Sequence, residues 1–445
     1  MKKTLYILLA TLCCSILSFA QDNKESIVLK SEGKALAEIV LSIRAEGEVS
    51  IQGVNSVKVD ERGRYVCVLP DSDDPEITLT ISASRILELT LDQIAATSLD
   101  LRKAPSLTHL DCGQYGGGIQ GLDLSSLDNL VYLNCAGQEI ALLDLEKNEK
   151  LETLLCSRNK LSQLDVQLLK QLKELDCSQN QLTELNLSNL DKLESVNATG
   201  NKIRSPKLEG LPHLKTLSLA ENPLEKVLKI DLPELLWLKV SRCGLEKLEL
   251  NAPSLEGLEC SENKLSSLDL ANANTKIQVL ECFLNNIDGT EMGKLIASLP
   301  NWNDPKNPGN GKCYAMSYGF SPDEPDENEK NFAYEDDVKI AWDKQWTFMA
   351  KTKDGKEVKY AGRPRSTQQI ANSEIVISPN PATDFVSIQG VSPNTEVRIL
   401  DLSGKLLIES LARSEGVLNL DVRAIPEGNY LVVINGSSQK LAIIR

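Results

Sequence analysis

Histidine is nearly missing from this 445-residue chain, which has only His109 and His213. Ser-His or Cys-His nucleophilic pairs and histidine-based zinc sites therefore have almost no material. Aromatic residues make up 4% of the chain, so leucine rather than a large mixed core carries the apolar load. Positive charge is outnumbered: 48 Lys and Arg stand against 63 Asp and Glu, a net charge of −15. That balance argues against a nucleic-acid partner, because phosphate binding needs clustered cations, and it suits a soluble exposed surface. After the first twenty residues no stretch approaches the ~18 apolar residues of a bilayer span, so no transmembrane segment is expected once they are removed. The sequence also lacks G-x-S-x-G, H-E-x-x-H and a phosphate-cradling glycine loop. No enzyme, cofactor or metal is expected on these grounds.

What is present begins with a targeting segment. Lys2 and Lys3 precede the apolar stretch Leu5 to Leu17, and Ser18-Phe19-Ala20 offers a small-x-small cleavage site before Gln21. Residues 1–20 therefore read as a signal peptide, whose loss takes the net charge from −15 to −17. A lipoprotein signal using Cys13 or Cys14 is the alternative. Eleven cysteines in an exported chain would ordinarily suggest disulfides, but removal of the signal leaves nine, an odd number.

The dominant feature is an internal repeat. Copies starting at Leu130, Leu151, Leu172, Leu193, Leu214, Leu235, Leu255 and Ile277 are spaced by 20 to 22 residues, and Ile86 and Leu107 begin two more. LETLLCSRNKLSQLDV from Leu151 and LKELDCSQNQLTELNL from Leu172 show the pattern most cleanly. A short strand in each copy would point leucines into a narrow interior shared with the neighbouring copies, since one coil cannot bury its own apolar face. Asn159, Asn180, Asn201, Asn222, Asn263 and Asn285 fill one column, where an inward amide can satisfy backbone groups at the bend leaving the strand. Cys243 interrupts that column, and Gln138, Tyr115 and Ile94 show degenerate first copies. Cys112, Cys135, Cys156, Cys177, Cys260 and Cys282 fill another column, exchanging with Ala198, Leu219 and Val240. They are expected to be buried fillers, with disulfides between coils or a zinc site as the rivals. Whether Cys67 and Cys313 pair stays open.

The repeat block spans residues 86–288. Residues 21–85 alternate as short strands and are expected to form a β-rich N-terminal cap over the exposed solenoid end. A helix is expected over Gly289 to Pro300, followed by a loop-rich stretch whose acidic part, 323–337, is a solvated loop or a calcium site. Trp342 and Trp346 would anchor a C-terminal cap over 289–361. A polar linker, 362–373, leads to residues 374–445, where at least six short alternating runs suggest a small antiparallel, immunoglobulin-like sandwich.

The repeats resemble the leucine-rich-repeat family, and the cysteine column is similar to the variant found in some internalins. The fold class implied is an α/β-type solenoid of short parallel strands between a β-rich cap and an all-β sandwich. ISPNPATDFVSI from Ile377, VRILDLSGKLL from Val397, IPEGNYLVVI from Ile425 and the final QKLAIIR resemble the type IX (Por) secretion C-terminal sorting domain. That resemblance implies export through the periplasm to the outer-membrane surface or the medium, with the type IX machinery as a partner. The leucine-rich-repeat resemblance implies a binding protein whose concave sheet grips a protein or glycan on host or neighbouring cells. A structural surface protein mediating self-association or biofilm formation is the alternative. Outward positions of the strands single out Tyr132 and Trp237, then His109 and Phe283, as binding residues, because exposed aromatics are frequent interface hot spots.

Overall fold

The computed structural model describes residues 24–32, 38–70, 76–91, 94, 96–113, 118–273, 276–303, 309–318, 326, 328–363, 376–391, 395–402, 404–412, 416–434 and 437–444. The signal segment, Tyr115, residues 323–325 and 327 of the acidic stretch, and residues 364–373 of the linker lie outside them. The chain divides into two compact units, Met1–Gly362 and Arg363–Arg445.

In the first unit each repeat from Leu107 onward contributes a three-residue strand, such as His109–Asp111, Tyr132–Asn134 and Thr153–Leu155, paired in parallel register with the next. One residue per strand faces inward. Leu110, Leu133, Leu154, Leu175, Val196, Leu217, Leu238, Leu258 and Leu280 stand side by side, each at most 2% exposed. These coils cover one another's apolar interiors, which makes the unit a leucine-rich-repeat solenoid.

The same sheet runs past the repeats at both ends. Glu38–Glu46 pairs antiparallel with Arg85–Leu91, and Tyr65–Val68 and Ser56–Val59 follow it outward. A second sheet lies in the cap, ordered Ser50–Gln52, Glu76–Ala83, Glu25–Glu32, Ala96–Lys103. Its last strand comes from the outer half of the first coil, so the division at residue 85 cuts through this sheet. The alternation in ATSLDLRK recruits it against Glu25–Glu32.

At the other end, helix α1 (Gly289–Ser298) starts where Asp288 accepts the N–H groups of Thr290 and Glu291, and it buries Met292, Leu295 and Ile296. The stretch beyond it is not all loop, as the sequence suggested. Gly311–Tyr318 joins the parallel sheet beside Val279–Glu281, helix α2 (Glu335–Asp343) follows, and Trp346–Thr352 adds another parallel strand. Glu357–Lys359 closes the edge in antiparallel sense. Trp346 is an anchor, 1% exposed, with its indole N–H donating to the Pro300 carbonyl. Trp342 is not; it lies on α2 and is 47% exposed.

Inside the solenoid the asparagine column forms a hydrogen-bond ladder. Asn180 Nδ2 donates to the carbonyls of Cys156 (3.0 Å) and Cys177 (3.1 Å), while its Oδ1 accepts the Leu161 N–H (3.0 Å). Asn159, Asn201, Asn222, Asn263 and Asn285 repeat this geometry. Gln138 takes the same role with a longer arm, and the Cys243 thiol substitutes by donating to the Leu219 carbonyl. Where the thiol replaces the amide, Pro223 has no N–H and the Leu224 N–H turns back to the Asn222 carbonyl.

The final rung comes from outside the repeats. Asn331 is fully buried, donates to the carbonyls of Cys282 and Ala315, and accepts the Ile287 N–H. Glu329 beside it clips three segments together by accepting the N–H groups of Leu284, Ser317 and Asn331. Burial drives its carboxyl pKa up to about 7, against the lowering effect of those three bonds. A carboxyl raised in the folded state contributes stability that is full below its ordinary value of ~4.5 and is lost as pH rises to ~7, by at most ~3 kcal/mol. Thermal melts between pH 4.5 and 8 should therefore show the wild type losing stability relative to Glu329→Gln across this window; parallel curves exclude this assignment.

The second unit has a three-stranded sheet, Val376–Ser378, Phe385–Val391 and Gly416–Asp421, and a four-stranded one, Leu406–Leu411, Glu396–Leu400, Gly428–Ile434 and Ser437–Ile443. Val386, Ile388, Val397, Ile399, Tyr430, Val432 and Leu441 form its own core between them, making a small sandwich. The Tyr430 hydroxyl donates to the carbonyl of Pro426, four residues back (2.7 Å).

Candidate binding face

The alternation that buries one residue of each strand turns its neighbours outward. Two columns result on the open face of the long sheet. One runs His109, Tyr132, Thr153, Glu174, Ser195, Thr216, Trp237, Gly257, Val279; the other runs Asp111, Asn134, Leu155, Asp176, Asn197, Ser218, Lys239, Glu259, Glu281.

The four aromatic candidates occupy three different environments. His109 and Tyr132 come together at one end, with ring centroids 6.0 Å apart and planes 19° from parallel. The Thr108 hydroxyl lies 2.9 Å from His109 Nδ1, and Glu88 is 3.7 Å from the same nitrogen. Partial burial raises the Tyr132 hydroxyl pKa, aided by the nearby charges of Asp111 and Glu174. This pair is a half-exposed aromatic platform with carboxylates around it.

Trp237 stands apart. Its ring lies on Gly257 of the next strand, where a Cβ would come within 2.3 Å of the indole carbons. Glycine is thus required there by contact, and one face of the indole is used up. Phe283, beyond the last repeat strand, is covered further. Lys351 Nζ sits 5.8 Å from its ring centre and 4.6 Å from that of Tyr314, and it pairs with Glu281 at 2.7 Å. Tyr314 in turn donates its hydroxyl to Glu357 (2.8 Å), so this end of the face is closed by its own contacts.

Several outward polar groups also have structural duties. Asp111, Asn134, Asp176 and Asn197 each accept the N–H two residues ahead, holding the turn that leaves the strand. Lys173–Glu152 and Lys215–Glu194 pair between adjacent coils at 2.6 Å, but as exposed ion pairs they contribute little. Thr153, Leu155 and Glu174 adjoin the His109–Tyr132 pair on the next two strands.

Cys112, Cys135, Cys156, Cys177, Cys260 and Cys282 lie beneath the face, each at most 1% exposed and free. Burial pushes the Cys135 and Cys177 thiols up to about 12, so the nucleophilic thiolate is suppressed. Cys67 and Cys313 sit in strands at opposite ends of the long sheet and are also free. Among the described residues no group of three His, Cys, Asp or Glu side chains is placed to hold a metal.

Residues 376–444 match the family described as the secretion system C-terminal sorting domain. The second unit is a sorting domain. It directs type IX export to the cell surface or the medium. No curated protein matches the sequence. Among solved structures, the chain is similar to the functional domain of InlJ from Listeria monocytogenes, which includes a cysteine ladder (19% identity, 78% of this chain and 74% of that one, TM-score 0.37). It is similar to YopM from Yersinia enterocolitica WA-314 (22%, 52% and 55%, 0.32) and to the plant peptide hormone receptor RGFR1 in complex with RGF2 (17%, 67% and 52%, 0.39). The solenoid assignment itself rests on the strand registers and buried leucine row described above.

Proposed function

We propose that this exported protein binds a macromolecular partner, a protein or glycan on host or neighbouring cells, through the open face of its long sheet, and so serves adhesion. The observation that carries this reading is the His109–Tyr132 platform. Stacked aromatic side chains there contribute nothing to the shared interior, whereas aromatic groups at the centre of an interface are frequent hot spots. Thr153, Leu155 and Glu174 extend the platform with an apolar contact and hydrogen-bonding groups. Trp237, half-spent on Gly257, would be a secondary contact, and Phe283, lying under Lys351, a minor one.

The test is a host-protein and glycan array probed with the secreted protein, followed by titration of each hit with His109→Ala/Tyr132→Ala. The double variant is expected to bind roughly tenfold or more weakly, equivalent to at least ~1.4 kcal/mol. Equal affinity for every hit would refute the assignment of this face. Sedimentation of the same sample distinguishes a partner from self-association.

A further inference from the structure

Leu142 and Leu168 break a rule that most other coils keep. The column of Leu142 continues as Gln163, Glu184, Ser205, Val227, Lys247 and Ser267, polar except for Val227, which is in register with Lys247. The column of Leu168 holds Lys147 in the preceding coil and Asn189, Gly210 and Asp231 in those that follow. Sibling coils built on the same backbone show what each position needs, and neither column needs leucine. Both side chains are nonetheless out in water, 71% and 50% exposed.

They also meet. Leu142 and Leu168 line one groove of about 370 Å³ whose other walls include Leu143, Leu145 and Leu169. Those three are nearly fully buried core leucines, so the groove has an apolar floor as well as apolar sides. Its polar lining is Asp144, Glu146, Asp165 and Gln163, with no Lys or Arg among the lining residues. Asp144 and Asp165 each accept the N–H two residues ahead, a role Asn186 performs in the next coil, so the turn requires an acceptor there but not a negative charge. Lys147 reaches Glu146 at 3.6 Å, an exposed and weak pairing.

We propose that this groove, formed on the outer segments of the coils and separate from the open sheet face, docks a basic amphipathic peptide segment of a partner protein. Leucine-type side chains of that segment fill the apolar trough, and its lysines or arginines meet Asp144, Glu146 and Asp165. An apolar group on an acidic rim selects against acidic segments by like-charge repulsion and against purely polar cations by leaving the leucines wet.

The test uses the full secreted protein and two fluorescein-labelled peptides, one of leucine and lysine, the other of leucine and glutamate in the same order. Fluorescence anisotropy is expected to show saturable binding of the lysine peptide, weakening with salt, and none of the glutamate peptide. Leu142→Gln/Leu168→Asn, which installs residues the sibling coils use, should weaken binding roughly tenfold or more with an unchanged melting curve. Asp144→Asn/Asp165→Asn should flatten the salt dependence while keeping both turns. Equal binding by the wild type and the Leu142→Gln/Leu168→Asn variant would overturn the proposal, because the peptide would then be held by acidic surface in general. So would equal binding of both peptides. Neither outcome touches the His109–Tyr132 reading, whose double alanine variant should bind the lysine peptide normally.

Discussion

Replacing Asn180 with alanine is expected to cost about 2–4 kcal/mol, a large share of the ~5–15 kcal/mol that typically separates folded from unfolded domains. The Cys156 carbonyl receives one N–H from Asn159 and a second from Asn180; the Cys177 carbonyl likewise receives one from Asn180 and one from Asn201. Each carbonyl therefore keeps a bond when Asn180 is cut back. The Leu161 N–H does not have that reserve in the ladder, since Asn180 Oδ1 is its acceptor there, and burial makes an orphaned N–H expensive. A small cavity adds to the loss. Asn180→Asp should be at least as damaging, because a carboxylate would face both carbonyls without a proton to donate. Asn180→Cys should fall between wild type and alanine, since the thiol fills part of the cavity and its sulfur is a weak acceptor for the Leu161 N–H. Urea unfolding followed by circular dichroism checks the order; an alanine variant within ~0.5 kcal/mol of wild type would show that the ladder is decorative.

The regular part of this architecture was legible because it is periodic. A spacing of 21 residues, stretched to 23 between Leu110 and Leu133, names Leu110, Leu133, Leu154 and Leu175 as neighbours, and the structure places them in one dry row. What was not legible is non-periodic. Asn331 completes the asparagine column from 46 residues beyond Asn285, after an intervening strand and with none of the leucine spacing around it. Helix α2 ends between Trp342 and Trp346, leaving one outside and one inside, and no spacing rule separates them. A second column was hidden for a different reason. Gly137, Arg158, Gln179, Gly200, Glu221, Arg242, Glu262 and Leu284 all adopt positive φ at the turn after the strand, yet only two are glycine. The ladder and the adjoining turns hold the other six in a conformation that their side chains disfavour.

The candidate face divides along similar lines. Counting outward positions identifies which side chains leave the core, and it does so for all four aromatics. It does not reveal that Trp237 lies on Gly257, that Lys351 reaches back over Phe283 from a strand outside the repeats, or that Asp111 and Asp176 are turned toward their own backbone. Of the four aromatics, only His109 and Tyr132 lie on adjacent strands in direct register, where spacing alone pairs them. The groove at Leu142 and Leu168 has the opposite character. Its leucines are visible as departures from their columns, but their convergence needs coordinates, because they sit in different coils at different positions of the repeat.

Deleting residues 376–444 should abolish surface display while leaving the solenoid folded. Val386, Ile388, Val397, Ile399, Leu420, Val432 and Leu441 close around one another, and the leucine row belongs to a separate core. Each unit has a core of its own, so the first is expected to fold without the second. The sorting domain carries the address for type IX export; with residues 1–20 acting as the signal peptide expected from the sequence, a chain without that domain would stop in the periplasm. Immunoblots of fractionated cells are therefore expected to find the truncated protein in the periplasm, absent from the surface and the medium. Resistance to limited proteolysis distinguishes this result from misfolding: the trapped protein should show the same protected core fragment as the first unit of the full chain. Surface display at the full-length level would refute the routing role of the tail. A protease-sensitive truncation would instead refute the independence of the two cores.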